Sequence, residues 1–499
     1  KMEATGGNSV VNSNLAHKLD NENAIDVETN DIPLKWCSVS LSDVISRGKR
    51  LEASVFDVEA KQARQIIKNS KFPSTTIGGE NGLTTSYTCA RFKRIWLEHS
   101  DFPIYQPSTI VDIKPKPDGY ISHLTKTNIE NLRVKKGQIL MTCSGTIGNV
   151  SYVSDTLKNK IFSHDLLRIN CKNAVDQGYV YAYLRSKVGN KILLTNSYGA
   201  VITHIEPEHL ATIPIPDAPK EIKERIHNLI VESFKLRDES NELIDQATAL
   251  LIDELKLPPI SEFKQNNIKN SANVNAFSVK LSDLNGRADA SYHLPIVDAI
   301  IKHLEQYSSE VTTIGDNRIS SDVVLPGRFK RVYVNSEYGV KFIGGKEMKQ
   351  LDPSSEKYIS KKAHAKQLEG ALGIKEYSIL TPARGSLGEV VMPCKHFYNW
   401  AISDNMMQIL SNSKICGYLY IFLNSEYGKI LIQRFTYGGV IDAIEPWHIQ
   451  QIQIPLLKNQ IIQNKINDLA LQANEKRYKA YLLEQEALKI MDEEVIYAK

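Results

Sequence analysis

The hydrophobic pattern of this chain changes period along its length, and it does so twice in the same order. Between 137 and 169 short apolar runs alternate with turn residues: Gly137-Gln138-Ile139-Leu140-Met141, a turn at Gly145, Val150-Ser151-Tyr152-Val153, then Leu166-Leu167-Arg168-Ile169. Such runs predict strands. Gly178 to Val188 predicts a helix with Tyr179, Tyr183 and Leu184 on its apolar face. After Ala218-Pro219, where proline is tolerated at a helix start, the spacing becomes seven. Ile222, Leu229, Leu236, Leu243 and Leu250 form one row, and Ile226, Ser233, Ser240 and Ala247 form the next. The pattern stops at Leu257-Pro258-Pro259. About 240 residues on it returns, with Ile462, Leu469, Lys476, Leu483 and Ile490 in one row and Ile466, Ala473, Ala480 and Ala487 in the other.

Heptads with a row of small side chains predict two long helices that pack closely, antiparallel, as a coiled coil. About 40 residues at ~1.5 Å each would make a spacer of roughly 60 Å. Ile222, Leu229, Leu243, Leu250, Ile462, Leu469, Leu483 and Ile490 are read as its core, and Lys476 interrupts that row.

The rest of the chain repeats as well. Arg91-Phe92-Lys93-Arg94 returns as Arg328-Phe329-Lys330-Arg331, and Gly145-Thr146-Ile147-Gly148 as Gly385-Ser386-Leu387-Gly388. Gly178-Tyr179-Val180-Tyr181 returns as Gly417-Tyr418-Leu419-Tyr420, and Tyr198-Gly199-Ala200-Val201-Ile202 as Tyr437-Gly438-Gly439-Val440-Ile441. Ile205-Glu206-Pro207 and Ile213-Pro214-Ile215-Pro216 return as Ile444-Glu445-Pro446 and Ile452-Gln453-Ile454-Pro455. The expected order is a polar, flexible leader over 1–33, a module over 34–216, a helix over 217–257 and a loop-like linker over 258–276. A second module over 277–456 and a second helix over 457–499 follow. The fold class is α+β and pseudo-twofold, which suits a target with two half-sites.

Charge sharpens that target. The net charge of the 499 residues is +4. Residues 1–34 and 217–257 each carry −4 and 457–499 is neutral, so +12 falls on the remainder, chiefly the two modules. A positive surface on paired modules suits a polyanion such as double-stranded DNA. The six cysteines, Cys37, Cys89, Cys143, Cys171, Cys394 and Cys416, form no CxxC pair and read as reduced thiols with no metal site. No apolar run is long enough for a membrane span and no secretory signal pattern opens the chain, so the expected location is the cytoplasm.

No phosphate-cradling Gly-x-x-x-x-Gly-Lys-Ser/Thr loop and no Gly-x-Gly-x-x-Gly fingerprint is present. The Asn/Asp-Pro-Pro-aromatic motif of amino-methylating enzymes is missing too, since Leu257-Pro258-Pro259-Ile260 has only the prolines. Asp253-Glu254-Leu255-Lys256 resembles a nuclease cluster only superficially, on a helix end. Ser163-His164-Asp165 is read as a turn, because adjacent residues in a strand face opposite ways and its second copy is Ser403-Asp404-Asn405.

In their order and repetition these landmarks resemble the specificity subunit of type I restriction-modification systems, over roughly residues 36–497. The second module departs from the pattern at Arg384 and at Asp404-Asn405. The resemblance implies a non-catalytic protein of phage defence. Its two target recognition domains would each read half of a bipartite, asymmetric site. Its helices would dock two methyltransferase subunits, and restriction endonuclease subunits would join them. The chain itself would bind no cofactor. S-adenosylmethionine, ATP and Mg would sit on the partners. A specificity subunit of a type IIB-like system and a duplicated scaffold that binds protein but no DNA remain open as alternatives. Candidate DNA contacts are Arg91, Lys93, Arg94, Arg328, Lys330 and Arg331, each trio anchored by its phenylalanine. Lys114, Lys116, Lys135, Lys136 and Arg384 are further candidates, as are the turn hydroxyls Thr146 and Ser386.

Overall fold

The computed structural model describes residues 38–46, 49, 51, 53–198, 203–267, 270–271, 274–275, 277–284, 286–354 and 357–498. The predicted leader, Cys37 and the Gly199–Ile202 stretch lie outside them. The chain divides into two compact units, and each takes part of both long helices. The first unit is Ile32–Glu239 with Lys479–Lys499, and the second contains Ser240–Tyr478. The long helices start just after the expected boundaries at 217 and 457, and each is shared between the two units.

In the first unit a four-stranded antiparallel sheet orders Thr84–Tyr87, Leu166–Cys171, Ile139–Thr142 and Val150–Tyr152. A smaller sheet orders Trp96–Leu97, Gly119–Ile121, Pro103–Tyr105 and Ile161–Phe162, the last pair parallel. Ser74–Thr76 pairs with Pro214–Pro216. Helix Val175–Arg185 forms where the apolar face predicted one. The second unit repeats the plan. Asp322–Val324, Met406–Leu410 and Ser378–Pro382 form one sheet. Tyr358–Ser360, Gly339–Ile343 and Ala401–Ile402 form another, again with a parallel pair, and Glu310–Thr313 pairs with Gln453–Leu456.

The same hydrogen bonds close both units. The Tyr179 hydroxyl donates to the Pro216 carbonyl (2.6 Å), and Tyr418 donates to Pro455 (2.5 Å). The Gly178 amide donates to His227 Nδ1 (3.3 Å), and the Gly417 amide donates to Asn467 Oδ1 (2.9 Å). Both glycines are needed for closeness. An added Cβ would come within 2.5 Å of the His227 backbone or 2.3 Å of that of Asn467.

The long helices run Lys220–Glu254 and Gln460–Ile490. In the first unit their segments are antiparallel, since Arg225 meets Glu494 while Ser233 meets Ala480. The buried seam is the small row: Ile226, Ser233, Ala480 and Ala487 are fully buried here, as are Ser240, Ala247, Ile466 and Ala473 in the second unit. The row read as the core is displaced. Ile222, Leu229, Leu243, Leu250, Ile462, Leu469 and Leu483 are only half-buried, and Ile490 alone among them is buried. The reason is steric. Alanine and serine let the backbones approach until the Ser233 hydroxyl donates to the Ala480 carbonyl at 2.7 Å. The large residues then flank the seam, where Ile222 and Leu229 pack on the first unit's core and Leu243, Leu250, Ile462 and Leu469 on the second's. A charge at Leu243 would strike that core as well as any outer face.

The expected loop over 258–276 also needs correction. Ile260–Asn267 is a helix and Asn270–Ser271 pairs with Val274–Asn275. Phe263 supplies the reason. It is buried, edge-on to His303 (5.5 Å) and Tyr427 (6.2 Å), whose hydroxyl donates to the Pro258 carbonyl (2.5 Å).

One ionic cluster lies within the first unit's helix pair. Glu484, 1% exposed, receives the Tyr181 hydroxyl at 2.6 Å, pairs with Arg237, and has Arg185 Nε 3.4 Å away. Burial, and then the Glu484 charge, push the Tyr181 phenol upward, so it stays a donor. In the second unit the position matching Arg237 is Arg477, which is buried and donates to Ser240 Oγ (3.2 Å) and Asn241 Oδ1 (3.4 Å). Glu484→Gln leaves two arginines in the interior without their carboxylate. The expected loss is about 3 kcal/mol, read as a lower urea midpoint.

Burial lowers the pKa of His227, with Asp176 opposing more weakly. Its folded-state pKa therefore lies below its unfolded value, so the unfolded chain binds the proton first. The stability it contributes is complete above about pH 6.5 and falls as pH drops from there toward the folded pKa. Asn467, its equivalent, does not titrate. His227→Asn is expected to flatten the decline in Tm between about pH 6.5 and 5 relative to the parent chain.

Candidate nucleic-acid interface

Residues 88–95 form neither helix nor strand, and the chain enters a strand only at Trp96. Phe92 ties this segment down. It is half-buried, edge-on to His164 (5.9 Å, 72°), and packed on the cluster of Ile104, Ile121, Leu132 and Ile161. Arg91 and Lys93 are thereby left exposed, and Arg94 is half-buried with its guanidinium 5.7 Å from the Trp96 ring centre. The second unit uses the same device. Phe329 packs on Phe342, Ile359, Leu372 and Ala401 and lies edge-on to His364 (5.1 Å), whose Nε2 accepts the Val332 amide at 3.1 Å. Arg328 and Lys330 are exposed. Arg331 is not equivalent to them. It pairs with Asp404 and lies over Phe342 (5.2 Å).

Ser163-His164-Asp165 forms a bend between two strands, not a strand. His164 Nε2 is 3.3 Å from Asp165 Oδ2, whereas Ser163 Oγ is buried without a hydrogen-bond partner among the described residues. Nothing links serine to imidazole as a nucleophile relay requires. Burial lowers the His164 pKa, Asp165 opposes this, and Arg91 and Arg94 add to the lowering. Arg91 and Arg94 are thus close enough to His164 to influence its charge, and Arg91 to influence Tyr198.

The glycine turns stand beside these segments. Gly145 (φ 72°) and Gly385 (φ 86°) are left-handed with open space where a side chain would be, and Thr146 and Ser386 are exposed at the tips. The Gly145 amide donates to the Thr203 carbonyl (3.2 Å) and the Gly385 amide to the Asp442 carbonyl (3.0 Å). Behind each turn a tyrosine reaches a helix-capping glutamate: Tyr198 to Glu206 (2.5 Å) and Tyr437 to Glu445 (2.6 Å). Each glutamate also exchanges bonds with a histidine three residues on, His209 or His448. Arg384 lies 3.8 Å from Glu445. These pairs were visible as repeated Tyr-Gly and Ile-Glu-Pro landmarks, yet nothing in the sequence joined them. A cleft of about 460 Å³ beside Ser386 is lined by Lys349, Glu389, Lys429 and Asp442, with Glu389 between the two lysines at 3.5 and 3.3 Å.

The other candidate cations stand apart. Lys136 pairs with Asp155 (2.7 Å). Asp155 and its neighbours are in turn capped by Asp238 of the long helix, which accepts Ser154 Oγ (2.7 Å) and the Asp155 and Thr156 amides. Lys135 is exposed beside it, and Lys114 and Lys116 are exposed on the segment after Pro107–Val111. Among the described residues no His, Cys, Asp or Glu cluster could hold a metal ion, and the five described cysteines are free thiols. No described helix is long and apolar enough to cross a membrane.

Residues 33–246 match the family of the type I restriction modification DNA specificity domain. That part of the chain is similar to the specificity domain of type I restriction-modification systems. The match takes in the first module and most of the first long helix. Three solved structures are similar in outline. The type I restriction-modification S subunit from M. genitalium shares 14% identity at a TM-score of 0.32, covering 85% of this chain and 96% of its own. The HsdS subunit from Thermoanaerobacter tengcongensis shares 12% at 0.24, covering 85% and 99%. A structure describing complex assembly and conformational transition of the type I R-M system shares 14% at 0.25, covering 85% and 98%. At those scores the likeness adds nothing to the family match. No curated protein is similar enough to count as a relative.

Arg91→Ala with Lys93→Ala is expected to weaken binding of a labelled duplex. It should also lower the slope of log K against log salt by about 0.9 for each phosphate no longer neutralised. Arg331→Ala should mainly lower stability, because it strands Asp404. Fluorescence anisotropy across a salt series, beside a urea melt, separates the two effects.

Proposed function

We propose that this chain is the DNA specificity subunit of a type I restriction-modification complex, with each module reading one half of a bipartite, asymmetric sequence. The observation that carries the reading is the family match over 33–246, joined to an internal repeat that gives the second module the same strand plan and the same closing hydrogen bonds. The exposed Arg91, Lys93, Arg328 and Lys330 and the glycine turns would position DNA through phosphates, and the divergent loops would read bases. The paired helices would fix the unread spacer, because half-site separation follows domain separation. Their outer faces carry exposed apolar side chains, Leu482 on one segment and Ile252 and Ile461 on others, suited to two methyltransferase subunits. S-adenosylmethionine would belong to those partners, and ATP and Mg to the endonuclease subunits.

Long-read methylation mapping of cells that express the partner methyltransferase, with and without this chain, tests the reading. The expected result is one bipartite methyl-adenine motif that disappears with the chain. An unchanged methylome with the partner expressed would sink it and favour a scaffold without DNA.

A further inference from the structure

The first module carries an apolar strip that the second lacks. Ile95, Trp96 and Leu97 are 42%, 48% and 45% exposed, and Leu124 on the neighbouring turn is 66% exposed. At the matching positions of the second module, Val332 and Val334 are buried at 2% and 9%, and Tyr333 is half-buried. The strip is held, not loose. Trp96–Leu97 is the outer strand of its sheet, paired with Tyr120–Ile121. The Ser122 amide donates to the Ile95 carbonyl at 2.8 Å. The Trp96 ring lies over Gly119, where an added Cβ would come within 2.9 Å of Cζ3. The glycine is the seat that lets a large ring lie flat on the sheet edge.

Its surroundings point to one kind of partner. Arg91, Lys93 and Arg94 lead into the strip, and exposed His123 and Lys126 flank it on the turn. The exposed carboxylates Glu98 and Asp101 follow at the far end. Cations grip phosphates without regard to sequence, whereas apolar side chains in the major groove select thymine by its 5-methyl group. An aromatic ring held rigidly between cations can therefore read bases where the cations cannot.

Resting on the specificity reading above, we infer that Ile95-Trp96-Leu97 is a base-reading surface of the first module, with Trp96 contacting an A·T pair through the thymine methyl. The module's half-site then contains an A·T position that the second module does not read through the matching residues.

The test uses the full chain with its methyltransferase partner, comparing the methylomes set by the parent, Trp96→Ala and Trp96→Phe. In Trp96→Ala one half of the motif is expected to lose discrimination at an A·T position by ten-fold or more, with the other half unchanged. Trp96→Phe should retain it. Binding then checks the contact from the DNA side. Replacing that thymine by deoxyuridine in a duplex of the mapped motif should weaken the parent chain and leave Trp96→Ala unaffected. A motif unchanged in both halves, or methylation falling in both halves together, overturns the inference, the second outcome assigning the strip to assembly. If the parent chain itself sets no bipartite motif, the specificity reading fails, and this inference falls with it.

Discussion

The close approach of two helix backbones is the constraint on which the rest of this structure depends. Ser233 can reach the Ala480 carbonyl only because neither position carries a large side chain. That single spacing decides which residues are inside. With alanine and serine at the seam, leucine and isoleucine are pushed to its margins, where they become part of each module's core. Helix and module are therefore not separable parts. The division of each long helix between two compact units expresses the same fact.

A seam this tight has little apolar area of its own, so its order must come from elsewhere. Glu484 provides it in the first unit. A carboxylate at 1% exposure is tolerable only when its charge is met, and here the partners come from the module helix (Tyr181, Arg185) and from the facing long helix (Arg237). Sliding the helices by one turn, ~5.4 Å, would take the carboxylate out of reach of all three. A pair of this kind adds little net stability and is best understood as fixing register. The equivalent place in the second unit is set differently, by Arg477 on Ser240 and Asn241.

The repeat, the alternation of strands and the two long helices were legible because periodicity and recurrence are properties of the chain alone. Which heptad row lies inside was not, because a row of leucines and a row of small residues are both valid seams until the partner helix is known. The helix at Ile260–Asn267 was hidden for a related reason. Its polar composition reads as loop, and only the contact of Phe263 with His303 and Tyr427, distant in sequence, makes it worth forming. In the candidate interface the basic trios were visible as motifs, but the capture of Arg331 by Asp404 depends on a residue 73 positions away. The Tyr198–Glu206 and Tyr437–Glu445 pairs were present as letters without a reason to connect them.

What duplication preserved and what it released separate along a physical line. The bonds that both units keep, Tyr179 with Pro216 and Tyr418 with Pro455, or Gly178 with His227 and Gly417 with Asn467, each use a backbone atom. A bond with a backbone partner is indifferent to most substitutions around it, so the frame can persist while its surface changes. The surface did change. Trp96 lies open over Gly119 where Tyr333 is half-buried, and Arg94 leans on that ring where Arg331 is tied to a carboxylate. Two units that keep the same backbone-anchored bonds can thus carry unlike faces.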